Sequence, residues 1–182
     1  MRRGARFIFQ PAEEAATGAL DMIARGALQH VDQIVALHCE PFIDTGRIGV
    51  RNGPITSHLR SFTVRLNGRG GHSARPHESI DPIPAAVNFV SLLYQLAPRS
   101  VDSRRAHCIT VTAVRAGDAI NAIPETAVVH GTIRAARLEE AQTLEQMVRT
   151  CAESACKATG CVATIEFPHA APATDNLSLI HI

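Results

Sequence analysis

The sequence predicts an α+β protein. A ferredoxin-like domain of order β-α-β-β-α-β covers residues 57–168, an incomplete α/β piece covers 1–56, and 169–182 begin a return to the domain of that first piece. Three observations carry this. Apolar and polar residues alternate cleanly from Phe62, as in strands buried on one face. Two long stretches, 81–97 and 138–159, have helical rather than strand spacing. The apolar runs before residue 52 are too hydrophobic to face water and need more sheet than the chain supplies.

Residues 6–9 (RFIF) read as a short buried strand that Gln10-Pro11 stops. Residues 12–25 then read as a helix, with Ala15, Ala19, Met22 and Ile23 at helical spacing and Gly26 at its end. Residues 33–40 (QIVALHCE) form a second apolar strand, and 45–53 a turn followed by alternation. In "LRSFTVRLNG" the inward residues are Leu59, Phe62, Val64 and Leu66; a glycine-rich loop, "NGRGGHSARPHES", follows. Asp81 is placed to cap the helix over 81–97, with Pro82 in its first turn. Strands at 107–117 and 126–136 are joined by "DAINAIPE", where Pro124 rules out a central strand. The helix over 138–159 turns Leu138, Ala141, Leu144, Met147, Val148 and Cys151 to one side, Gly160 ends it, and 161–167 form the last strand. The chain is expected to begin inside one domain, pass through a whole second domain and stop on returning to the first.

With 182 residues, 46% hydrophobic and 19% charged, the chain reads as globular. A formal charge of +1 offers no electrostatic reason for a nucleic-acid or anionic-membrane partner. Aromatic residues make up 4%, too few for a sheet that stacks bases. No apolar run reaches the length of a membrane helix, and the basic "MRRGARFIFQ" is too short in its apolar part for a signal peptide. Five cysteines without a C-x-x-C pair argue against a disulfide framework and for the cytoplasm.

Several residues stand out chemically. Glu13 and Glu14 are adjacent, so on a helix they diverge by about 100° and can do different jobs, one holding a metal and the other a water. Acidic residues in a first helical turn are also ordinary. His38 ends an apolar strand, where open α/β sheets place their ligands. His72 is framed by glycines in "GRGGHSARPH", a loop whose backbone can turn sharply; His77 lies in the same loop. Asn121 sits on the "AGDAINAIP" connection, and Arg134, in "GTIR", has the fork geometry that grips a carboxylate.

Taken in order, "FQPAEEA", "ALH", "GRGGHSARPH", a "DP" helix start, "AGDAINAIP" and "GTIR" resemble the amidohydrolase branch of the dinuclear-zinc aminoacylase and carboxypeptidase family, over about Arg6 to Pro172. That branch includes hippurate hydrolase, N-acyl-amino-acid amidohydrolases and the auxin-conjugate hydrolases. The resemblance implies a metal-binding catalytic domain interrupted by a ferredoxin-like lid that mediates homodimerisation. It implies two divalent ions, zinc or manganese, that polarise a scissile amide and acidify a water, and small N-acyl-amino acids or related small amides and peptides as substrates. It makes Glu13 the general base, Glu14 and His38 metal ligands, His72 an oxyanion donor that reaches the partner's active site, and Asn121 and Arg134 substrate-binding. His77 receives no role. The family's Cys and His ahead of the glutamate pair and its final histidine ligand have no match here, so the metal site is expected to be incomplete and this chain inactive alone. "NLSLIHI" also departs from the family after "APATDN". The competing expectation is a non-catalytic dimerisation module built on residues 57–168.

Overall fold

A computed structural model describes residues 4–14 and 17–176; Ala15 of the expected helix and the end "LSLIHI" lie outside them. The chain divides into two compact units, residues 1–50 and 51–182. Among the described residues no helix is long and apolar enough to cross a membrane.

In the first unit the regular element is helix α1 (Gly18–Ala24). It is shorter than expected because the backbone of Ala12, directly after Pro11, takes a left-handed φ of 49°, so the chain cannot enter a helix at 12. Arg25 closes the helix with both Asp21 carboxylate oxygens at 3.0 Å. The strands expected at 6–9 and 33–40 are not formed. A strand exists through the ladder that satisfies its N–H and C=O groups, and no described segment pairs with these two. Their apolar side chains stand in solvent: Phe9 is 87% and Leu37 88% exposed. Arg6 reaches across the unit to the carbonyls of Ala27 and Gln29, at 2.8 and 3.1 Å.

The second unit follows the expected order. Its main strands are β2 (His58–Asn67), β4 (His107–Ala116), β6 (Thr126–Ala135) and β7 (Val162–Glu166). They form an antiparallel sheet in the order β4-β6-β2-β7. Helices α2 (Pro82–Ser100) and α3 (Leu138–Thr159) join them. Short pairs complete the unit: β1 (Gly53–Pro54) with β9 (Asp175–Asn176), β3 (Gly71–His72) with β5 (Ala122–Ile123), and β8 (Ala170–Ala171) with the start of β2.

The core lies between the helices and one sheet face. Phe62, Val64 and Leu66 of β2 meet Phe89 and Leu93 of α2 and Leu144 and Val148 of α3. Phe62 and Phe89 pack edge to face with centroids 6.5 Å apart. Gly131 gives that ring its room, since a Cβ there would overlap Phe62 and the Thr110 carbonyl. Two expected inward residues are corrected. Leu59 pairs with Arg134 on the opposite face, because the inward parity of β2 belongs to even positions. Leu138 starts α3 at 46% exposure, ahead of the helix's contact with the core.

Helix ends carry the expected chemistry. Asp81 caps α2 by accepting from the Ile83 N–H at 2.9 Å. Gly160 ends α3 with φ +79°. The buried Glu140 accepts from Arg105 at 2.8 Å and from the Arg137 N–H at 3.2 Å, tying the α2–β4 loop to the start of α3. A bulge between Val111 and Ala113 shifts the β4–β6 register. Beside it, Tyr94 of α2 accepts from the Val111 N–H at 2.9 Å.

Candidate functional site

The two motifs that sequence separates by nearly fifty residues, "GRGGHSARPH" and "AINAIP", are brought together in a small ribbon. His72 lies opposite Ala122 in the β3–β5 pair, and the Ser73 N–H donates to the Asn121 carbonyl at 3.1 Å. The loop is held at its base. Arg69 and Ile80 exchange two backbone hydrogen bonds of 2.9 Å, and the Gly68 N–H donates to the Glu125 carbonyl at 2.8 Å. Gly68 is needed because a Cβ would collide with the Ile80 carbonyl that makes this pairing.

His72 is exposed, and its ring is fixed by its own loop. The Ala74 N–H donates to Nδ1 at 3.1 Å, so Nδ1 is the acceptor and the proton of the neutral ring sits on Nε2. A neutral His72 therefore keeps one N–H free to donate to an electron-rich oxygen. His77 is a surface residue whose Nε2 lies 3.8 Å from Glu78.

Arg134 occupies the other end of the sheet. Asn67 lies opposite Thr126, and Leu59 opposite Arg134. From Thr126 to Arg134 is eight strand steps, about 27 Å. His72 and Asn121 lie beyond the Thr126 end, because β3 follows β2 and β5 precedes β6 at that end. One protomer's sheet therefore does not bring Arg134 together with them. Arg134 lines an open groove of about 580 Å³ with Arg51, Ile55, His107 and Cys108. Among the described residues no carboxylate lies within 4 Å of its guanidinium. The sequence reading missed Arg51, His107 and Cys108, because strand register alone puts Cys108 beside Arg134.

Glu13 and Glu14 lie exposed in a turn before α1, and His38 is exposed in an unpaired segment. Among the described residues no three His, Cys, Asp or Glu side chains group as a metal site. The described donors therefore do not by themselves make up a dinuclear centre.

This two-layer unit, with its glycine-framed histidine loop, is a dimerisation domain of the metallopeptidase type. Residues 56–160 match the M20 peptidase dimerisation domain, and the chain belongs to that family. It is similar to the N-acetylcysteine deacetylase of Bacillus subtilis, 36% identical over 94% of this chain and 45% of that protein. A segment of a Rhodococcus jostii protein, provisionally named glutamate–cysteine ligase 2-3, is 45% identical over 79% of this chain and 18% of its own length. Among solved structures, a dinuclear metal-binding M20 peptidase of Bacillus subtilis superposes with a TM-score of 0.72 at 31% identity, over 92% of this chain and 41% of its own. The chain spans less than half the length of each of these relatives.

Proposed function

We propose that this chain supplies the dimerisation domain, residues 57–168, and part of the catalytic domain, residues 1–56, of a homodimeric metal-dependent amidohydrolase acting on N-acyl-amino acids. The observation that carries the reading is the separation of the sheet's two functional ends. His72 and Asn121 stand at one end and Arg134 at the other, about 27 Å of strand away. A small N-acyl-amino acid spans on the order of 10 Å, roughly three extended residues. One substrate reaches both ends only if they come from different protomers.

The edge strand β4 offers the geometry for this. It begins beside Arg134 and ends beside Ala127. Two-fold pairing of β4 with its copy runs antiparallel, which sets the Arg134 end of one sheet next to the His72 end of the other. The neighbouring α2 presents Val87 and Tyr94 outward, 62% and 45% exposed, as apolar surface for the same contact.

In this reading Arg134 grips the substrate carboxylate with a charge-assisted fork, and Asn121 holds its polar groups. The Nε2–H of His72 donates to the oxygen on which negative charge develops, without needing a protonated ring. Glu13 serves as general base, with Glu14 and His38 contributing to a site for two zinc or manganese ions that further donors complete. The chain alone does not turn over. The test is hydrolysis of N-acetyl- and N-benzoyl-amino acids, with and without zinc or manganese, by this chain and by a longer enzyme containing it. Metal-dependent turnover by the longer enzyme is expected, and none by the chain. A dimeric longer protein that hydrolyses nothing under any metal would replace this reading with a non-catalytic dimerisation module built on residues 57–168.

A further inference from the structure

Resting on the reading of Arg134 as the carboxylate site, we propose that Arg51 is a second anion-binding residue in the same groove. It would select N-acyl-amino acids whose side chain carries its own carboxylate, N-acyl-glutamate or N-acyl-aspartate.

The groove has two walls. One is the 51–57 segment with Arg51, Pro54 and Ile55, and the other is the start of β4 and the end of β6, with Cys108, Arg134 and Ala135. Its volume, about 580 Å³, lies within the range of small-molecule sites. Among the described residues no acidic residue lines it, and Arg51 and Arg134, which both line it, have no carboxylate within 4 Å. Asp175 lies on the strand beside Pro54 but is neither in the lining nor paired to Arg51.

With one arginine on each wall and no carboxylate in the lining, a ligand with two carboxylates offers a counter-charge to both. A ligand with one carboxylate satisfies Arg134 and leaves Arg51 unpaired. The wall that carries Arg51 is also pre-set. Gly53 and Pro54 pair with Asn176 and Asp175. The Ile55 N–H donates to the Thr174 carbonyl at 2.8 Å, and the Thr174 N–H to the Thr56 hydroxyl at 2.7 Å. The Asn176 amide donates to the Arg51 carbonyl itself at 3.0 Å. Little backbone ordering is left to oppose binding. The apolar surface of Pro54 and Ile55 suits the methylenes that separate the two carboxylates.

The test is titration of the 182-residue chain with N-acetyl-glutamate and N-acetyl-glutamine, its isostere with an uncharged side chain, followed by amide NMR shifts and calorimetry. The wild-type chain should bind N-acetyl-glutamate about three- to tenfold more tightly, a preference that shrinks with added salt. Arg51→Gln should bring the two ligands to within about twofold, chiefly by weakening N-acetyl-glutamate, and Arg134→Gln should weaken both. Superimposable spectra of unliganded variants check the fold. Equal wild-type affinities, or a preference that survives Arg51→Gln, would overturn the role of Arg51 while the Arg134 effect still stands. If Arg134→Gln left both affinities unchanged, or neither ligand bound, the carboxylate reading would fall and this inference with it.

Discussion

If the two ends of the sheet serve one substrate from two protomers, inactivating variants should complement each other when mixed. Consider His72→Ala and Arg134→Ala in a longer enzyme carrying this chain. Each homodimer has both sites damaged, and loss of one oxyanion donor alone costs about 100- to 1000-fold in turnover. In a heterodimer, the Arg134 of the His72→Ala protomer meets the His72 of the Arg134→Ala protomer, so one site is whole and the other lacks both residues. Random exchange of equal amounts makes half the dimers hetero, which restores roughly a quarter of the wild-type sites. The assay is hydrolysis of an N-acyl-amino acid after co-expression, or after unfolding and joint refolding, compared with each parent. The magnitude rests on the eight strand steps from Thr126 to Arg134, which place the two groups too far apart to share a substrate within one chain. If both residues acted from the same protomer, every site in the mixture would lack one of them. Activity at the parents' level would therefore refute the reasoning.

Three further outcomes follow from the same structure. Thiol reagents should modify the exposed Cys39 and Cys108 quickly and reach Cys151, Cys156 and Cys161 only on unfolding, because burial encloses all three and pushes the Cys151 and Cys156 thiols up; fast native modification of all five would contradict this. Gly131→Ala should destabilise the chain by about 1–3 kcal/mol in urea unfolding, since the new methyl meets the Phe62 ring, and an unchanged midpoint would refute that packing. Hydrogen bonds from Arg104 hold the Asp102 carboxyl at about 2, so its carboxyl carbon should titrate near that pH in NMR. With a folded value depressed below 3.8, the pair's contribution is present above that pH and lost as pH falls through about 2; a midpoint near 4 would show that the pair does not form.

Sequence patterning reached far in the second unit and poorly in the first, for a physical reason. A two-residue period in β2 and β6 and a helical period in α2 and α3 are local consequences of having one face against a core, so element order and most inward residues were legible. Leu59 was misplaced because the period at the start of β2 is masked by Arg60, which turns inward to the α3 carboxylate of Glu145 and breaks the apolar pattern without breaking the parity. Residues 6–9 and 33–40 have strand composition but form no strand, because a ladder requires a partner and composition does not supply one.

Residue types and their order along the chain determined the family and the candidate chemistry: a glycine-framed His72, an Arg134 on a strand, a glutamate pair after a proline. Pairing decided how those residues are distributed in space. The β3–β5 ribbon joins His72 to the Asn121 loop, while the β2–β6 register sends Arg134 to the far end and sets Cys108 beside it. Register depends on contacts between segments tens of residues apart, and no local run of residues encodes it.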